Sequence, residues 1–364
     1  MNKMIAATAV LTCSIGCIGT ASAQSNITVY GIVDAAVDYN TNADANGRSR
    51  VWMPSLGGGM FPSRLGFKGS EDLGGGLKVI FTLENGFYVD SGANGQNRLF
   101  GRQAWVGLFG NWGQLTFGRN YNMIYNSMFE VDIVGPSNYG LGVIDPAVPN
   151  GRSDNSIAYK GTFNGFTIGA TYSLGRDVSN AGGPSGTNCA GESAVDAQAC
   201  REWSAMLRYD GGNWGISSAY DNVRGGPGAA GGLTRSDLSD RRANVAGYVK
   251  FGNLKLAGGV LMRKNEGAAT TPRSNLYYFG AAYKATPALT IDGHLARLDY
   301  KDSGNDTNQV VVRALHDLSK RTTIYIAAGR MDNRGTAAIP LSAGGTVGVG
   351  MAQNGVIMGI KHSF

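Results

Sequence analysis

Apolar and polar residues alternate with a period of two along most of this chain. Ile27, Val29, Val33, Ala35 and Val37 share one face of an extended segment, and Thr28, Tyr30, Asp34 and Asp38 share the other. Leu65 and Phe67 alternate with Arg64, Gly66 and Lys68. After the polar turn 71–76 the pattern resumes as Leu77, Val79, Phe81 and Leu83 against Lys78, Thr82 and Glu84. Further segments of this kind are 99–109, 114–118, 153–160, 166–174, 201–209, 214–222, 242–251, 254–264, 274–284, 289–300, 309–318, 321–331 and 354–364. Together they predict about sixteen short strands and an all-β fold.

The connections fall into two sets that alternate along the chain. One set is short, as at 111–113, 164–165, 211–213, 252–253, 286–287 and 319–320. The other is longer and rich in Gly, Ser, Asn and Asp, as at 41–50, 89–97, 176–199, 224–240, 265–273 and 332–351. Short turns then lie at one end of an antiparallel meander and long loops at the other. That asymmetry marks an up-and-down barrel of the outer-membrane type. A soluble sandwich also alternates, but two further features favour the barrel. The chain ends on a strand-like segment whose Val356, Met358, Ile360, His362 and Phe364 share a face. It also begins with an export signal: Lys3, an apolar core from Met4 to Thr20, and the small-residue site Ala21-Ser22-Ala23. Residues 1–23 are therefore expected to be removed, leaving 24–364 as a single transmembrane barrel domain.

One stretch breaks the alternation. Residues 121–152 show no clean helical or strand period. They carry Glu130, Asp132 and Asp145, and no Lys or Arg before Arg152. An irregular loop this long inside a regular meander is functional or disordered. By strand count it follows the fifth strand and is the third long loop.

Composition adds little to the fold and more to the chemistry. The 56 glycines suit many turns, and 16% charged residues is low for a soluble domain. Loss of Lys3 lowers the net charge from +6 to +5, and Cys13 and Cys17 leave with the signal. Cys189 and Cys200 remain, either bridged across a small loop in an oxidising compartment or as two free thiols in that loop. A zinc site would need two more ligands. His294, His316 and His362 are far apart, with no nucleophile elbow or triad spacing, so no catalytic residues are expected. No metal-ligand motif is present, and no cofactor is expected. Basic residues are spread over strands and not gathered into a stripe, which argues against nucleic acid.

Several segments in order are similar to the general trimeric porins of Gram-negative bacteria, most closely the betaproteobacterial branch. They are Val29-Tyr30-Gly31-Ile32-Val33-Asp34, Ser63-Arg64-Leu65-Gly66-Phe67-Lys68-Gly69 running into Glu71-Asp72-Leu73-Gly74, Phe100-Gly101-Arg102-Gln103-Ala104, Phe117-Gly118-Arg119, Asn155-Ser156-Ile157-Ala158-Tyr159 and the terminal Gly359-Ile360-Lys361-His362-Ser363-Phe364. The resemblance spans the mature chain. It implies a sixteen-stranded barrel, a homotrimer set in outer-membrane lipid and lipopolysaccharide, and a third external loop (121–152) folded inward as a constriction. A terminal Phe such as Phe364 resembles the signal read by the barrel assembly machinery.

In such porins a wall of arginines faces acids on the constriction loop. By motif the wall here is Arg64, Arg102 and Arg119, with Lys68 and Lys78 also of inward parity. The acids opposite are Glu130, Asp132 and Asp145, with Asp34, Asp38 and Glu84 as further lumen acids. Arg119 shares parity with Leu115 and Phe117, so it needs a bulge at Gly118, or an ended strand, to point inward. The Pro-Glu-Phe-Gly-Gly motif of the enterobacterial loop is absent. The expected function is diffusion of small hydrophilic solutes and ions, with an anion preference set by the cationic wall and the net positive charge. A substrate-selective channel of the same fold and a non-channel adhesin or scaffold are the alternatives.

Overall fold

The computed structural model describes residues 26–54, 58–145, 147–175, 189 and 191–364. The expected export signal lies outside the described residues. The strands are β1 (Asn26–Asn40), β2 (Arg50–Trp52), β3 (Arg64–Gly74), β4 (Leu77–Gly86), β5 (Gln103–Gly110) and β6 (Gly113–Tyr121). Then come β7 (Arg152–Phe163), β8 (Phe166–Ser173), β9 (Glu202–Asp210), β10 (Trp214–Arg224), β11 (Ser239–Phe251) and β12 (Leu254–Asn265). The series ends with β13 (Arg273–Lys284), β14 (Leu289–Tyr300), β15 (Thr307–Asp317), β16 (Thr322–Asn333) and β17 (Gln353–Ser363). Apart from the three-residue β2, these form a closed antiparallel barrel of sixteen strands. Each strand pairs with the next, short turns and long loops alternate, and the loop between β6 and β7 is the third of the long set.

Closure depends on β1, which divides its two halves between two neighbours. Asn26–Ile32 pairs with β3, and Ile32–Asn40 pairs with β17. An open edge would leave backbone groups unsatisfied in lipid, so the last strand must reach the first. Phe364 completes the seam: its N–H and C=O exchange hydrogen bonds with Gly31, both at 3.1 Å. Its ring lies over Gly31, where a Cβ would collide with that ring and with the Arg64 carbonyl. The glycine of Val29-Tyr30-Gly31 thus has a packing reason.

The alternation read from the sequence sorts as inside and outside. Val37 is 48% exposed on the outer face, whereas Asp34 and Asp38 beside it are 1% and 0% exposed. Val106, Leu207, Ile216, Phe279, Leu295, Val312 and Met358 are likewise exposed outward. In water such a surface would aggregate; in hydrocarbon each large side chain contributes about 1.5–3 kcal/mol.

The aromatic residues divide between the two faces of the barrel. Phe279 and Tyr283 are exposed, but Tyr30, Tyr278 and Tyr325 turn inward and donate to Glu84, Asn244 and Asp34. A phenol carries a donor that the polar lumen can satisfy and hydrocarbon cannot.

Two predicted boundaries shift. Residues 99–102 are not strand, because Leu99 gives its carbonyl to the Asn85 side chain and Arg102 turns to Glu84. Residues 50–52 form β2, a spur on β1 that starts at the last residue of the loop expected over 41–50.

Candidate functional site

The loop 122–151 starts with a short helix, α1 (Met123–Met128), too brief to show a helical period. Asn122 caps it, its Oδ1 accepting the Tyr125 N–H at 3.1 Å. A six-residue helix is not stable alone; inward-facing groups of the wall hold it. Met123 N–H donates to Ser204 Oγ, Ser217 Oγ donates to the Ser127 carbonyl, and Asn244 Nδ2 donates to Ser127 Oγ. Met123, Ile124, Met128, Val131, Val134 and Tyr139 join one buried cluster with wall residues such as Met206, Ala219, Ala246, Leu276 and Val311.

Farther along, Arg313 donates to the Val134 carbonyl and Gln309 to the Tyr139 carbonyl, both at 3.0 Å. Tyr139 Oη donates to Asp38 at 2.5 Å, and Asn138 donates to the same carboxylate. The second short helix, α2 (Ala147–Asn150), leads back to β7. The segment therefore lies against the inward faces of β8–β16 and β1.

Two of the three loop acids pair with cations of β11 and β12, the third lies near Arg313 without an ion pair among the described residues, and none pairs with the arginines of β3–β6. Glu130 pairs with Lys255 at 3.2 Å. Asp145 takes a two-pronged bond from Arg242, at 2.9 and 3.1 Å, and Arg242 also holds Asp240, as Arg263 does. Burial alone would raise the Asp145 carboxyl, but Arg242 and Arg263 hold it below the ordinary carboxylate value. Asp132 accepts the Gly135 N–H at 3.0 Å. It keeps one edge open, yet burial pushes it up to about 6, and the Gly135 bond and nearby Arg313 offset this only in part. The loop acids that the resemblance sets opposite Arg64, Arg102 and Arg119 thus make no ion-pair contact with them among the described residues. The reason is direction: the loop turns its acids toward β11, β12 and β15, away from β3–β6.

The arginine cluster takes its counter-charges from the wall itself. Arg102 Nε donates to Glu84 at 2.7 Å, with both side chains buried, and Tyr30 Oη donates to the other Glu84 oxygen at 2.8 Å. Arg119 reaches Asp154 at 2.5 Å and the Gly101 carbonyl at 2.8 Å. Arg98 forks onto the same Asp154 at 2.8 and 3.1 Å. Arg102 and Arg152 both donate to Tyr121 Oη, at 3.0 and 3.1 Å, and Tyr121 stacks on Tyr125 with centroids 3.8 Å apart. Among the described residues, Arg64 has no carboxylate in ion-pair contact, and its buried Nε has no partner.

Arg119 reaches the inside through a bulge. The β6–β7 register shifts between Gly118 and Asn120, and Gly118 has φ +128°. A Cβ at Gly118 would strike the Ala104 carbonyl, so glycine is required there twice over.

Other predicted residues have different roles. Asp34 and Asp38 face inward but are consumed as anchors. Asp34 accepts the N–H groups of Gly59, Met60 and Phe61 and the Tyr325 hydroxyl, and Asp38 ties the loop tip to Ser342. Lys78 does not join the cluster. It lies beside the β3–β4 turn near Asp72, at 3.9 Å, whereas Arg64 pairs with Gly86 at the far end of that hairpin, about 25 Å away. Lys68 lies between them, over the Tyr30 ring. Cys189 and Cys200 are bridged, and the Cys200 N–H donates to the Gly225 carbonyl of the next long loop. Sequence reasoning missed Asp154, Arg98, Arg152, Arg242, Lys255 and Arg313. Arg242 and Arg313 had a usable signal, being charged residues at inward parity on apolar strands.

A closed sixteen-strand barrel with an apolar outside, a charged inside and a loop against its inner wall defines a transmembrane channel of the outer-membrane type. Comparison with known proteins agrees. A family profile for Gram-negative porins matches residues 6–336. The outer membrane porin protein 32 of Delftia acidovorans is 31% identical over 387 aligned positions, covering 100% of both chains. An outer membrane porin of Bordetella pertussis is 30% identical, covering 89% of this chain and 93% of that one. Among solved structures, the anion-selective porin from Comamonas acidovorans superposes with a TM-score of 0.74 at 26% identity, covering 94% of this chain and 100% of that one. The chain belongs to the Gram-negative porin family, and it is an outer-membrane protein.

Proposed function

We propose that this porin is an anion-preferring diffusion channel whose narrowest passage runs between the loop 122–151 and the arginine wall of β3–β7. The observation that carries it is Arg64. The loop's apolar residues pack on the opposite half of the barrel, leaving the arginine wall uncovered by them. On that wall Glu84 and Asp154 counter Arg102, Arg98 and Arg119, and Arg64 is left with no ion pair among the described residues. A fixed guanidinium outside any ion pair, sharing Glu84 with Arg102 only at longer range, raises local anion concentration and repels cations. The likeness to an anion-selective porin supports the same reading.

Residues 1–23 act as the cleaved export signal, and Phe364 serves as the recognition end for barrel assembly. The working unit is a homotrimer in lipopolysaccharide-containing membrane, passing small hydrophilic solutes and anions. Planar-bilayer recording in a potassium chloride gradient tests the central point. The reversal potential is expected on the chloride side, in conductance steps of three. A reversal potential on the potassium side would overturn the reading.

A further inference from the structure

A second group of cations lies away from the arginine wall. Helix α1 packs on one inward row of the barrel, over Met206 of β9, Ala219 of β10 and Ala246 of β11. One or two inward positions closer to the short turns stand Arg208 on β9, Lys250 on β11 and Lys255 on β12, with Lys160 on β7 at the same level. Lys250 and Lys255 are direct cross-strand partners on the inward face. Two like charges in that relation are destabilising unless something negative sits between them. Both ammonium groups stand 4.9 Å from the centroid of one ring, Tyr248. Lys160 and Arg208 flank β8, opposite Gly169 and Thr167, which puts their Cα atoms about 12 Å apart with both side chains long enough to meet.

The counter-charge here is thin. Glu130 pairs with Lys255, and Asp210 reaches Arg208 only at 3.4 Å. The buried Nε of Arg208 has no partner. Among the described residues neither Lys160 nor Lys250 has a carboxylate in ion-pair contact; besides the Tyr248 ring, Lys250 has the Gly212 carbonyl at 3.5 Å and feels Asp210 at longer range. The other inward carboxylates of these strands are Asp154, Glu202, Asp221 and Asp240, and all lie toward the long-loop end. Charge is thus segregated along one wall: acids with their arginines toward the loops, and four cations against two acids toward the turns.

We propose that Lys160, Arg208, Lys250 and Lys255 form a second anion site, in the vestibule on the turn side of α1, that holds a compact divalent oxyanion of the phosphate class. The proposal deepens the anion-channel reading. A monovalent halide gains little from four dispersed donors. A dianion with several oxygens accepts from the Lys250–Lys255 pair and from the free Arg208 edge together, relieving the repulsion between them. Solutes of that class would dwell here before or after passing the arginine wall.

The test is chloride conductance through the full-length porin at pH 7.4 while inorganic phosphate is titrated in. The wild type is expected to show a saturable fall in conductance. In K250Q/K255Q the half-saturating phosphate concentration is expected to rise about tenfold or more. Migration of the unheated protein in detergent gels shows whether each variant folds. K160Q, on another strand, gives an independent readout in the same direction. Absence of saturation in the wild type, or equal half-saturation in folded wild type and both variants, would overturn the site. A wild type that prefers potassium yet shows block weakened by K250Q/K255Q would sink the anion-channel reading and leave the site standing.

Discussion

Replacing Arg64 by Gln removes one positive charge from the wall and leaves the ion pairs around it in place. Arg64 makes no ion pair among the described residues, so no buried carboxylate is stranded. A unit charge about 6 Å from the path of an ion interacts with it by about 0.7 kcal/mol in water, and screening in 0.1 M salt reduces this to about 0.4 kcal/mol. Removing the charge costs a passing anion that amount and gives it to a passing cation. Each population changes about twofold, so the anion-to-cation permeability ratio falls about fourfold. A low-dielectric wall would enlarge the effect, which makes fourfold a lower expectation. The assay is the reversal potential of single trimers in a tenfold potassium chloride gradient, with Arg64→Lys as the charge-retaining control. A ratio that changes by less than about 1.5-fold in Arg64→Gln would refute the reasoning. Arg102 is the wrong place for this test: its removal strands buried Glu84 with Tyr30 as the remaining donor, and breaking such a pair costs about 3–5 kcal/mol.

Asp132 supplies a pH dependence. Its carboxyl is pushed up to about 6, so it is charged at pH 7.5 and neutral at pH 5. Losing that negative charge on acidification should raise anion preference with a midpoint near pH 6, and Asp132→Asn should flatten the curve at its acidic limit. Gly118→Val forces a β-branched residue into φ +128° against the Ala104 carbonyl. A loss of about 1–3 kcal/mol is expected, read as a lower unfolding temperature of the barrel, whereas unchanged stability would rule out the bulge. Deleting Phe364 removes two seam hydrogen bonds and the ring over Gly31, and should lower the yield of folded barrel in refolding assays. The Cys189–Cys200 bridge spans a sequence separation of 11, a closure worth about 3 kcal/mol to its loop. Replacing both by Ser should speed proteolysis within 191–199 while single-channel conductance holds; protection equal to wild type would show that the bridge does not hold that stretch.

Much of this protein is determined by local pattern. Period-two alternation is a property of each strand alone, so Val33, Asp34, Val37 and Asp38 declare their faces without reference to any other strand. Turn and loop lengths then set the meander and identify 121–152 as the third long loop. The terminal strand ending at Phe364 announces the seam, because a membrane barrel cannot leave an edge open. The parity of Arg119 also shows locally that the strand must bulge at Gly118 or end there to turn that residue inward, and the structure decides for the bulge.

What alternation cannot specify is which inward side chains meet across the lumen. Partners such as Asp145 and Arg242, or Tyr139 and Asp38, are about 100 residues apart and are joined only when the barrel closes and the loop enters it. The loop's own direction is set by an apolar cluster drawn from β9–β17 and β1, which no short window of sequence contains. That direction sends Glu130, Asp132 and Asp145 away from the arginine wall and leaves Glu84 and Asp154 as its counter-charges. The strands and their faces were thus written locally, because sterics and solvent act residue by residue. The charge balance of the channel was decided by tertiary structure, because an ion pair depends on distance in space.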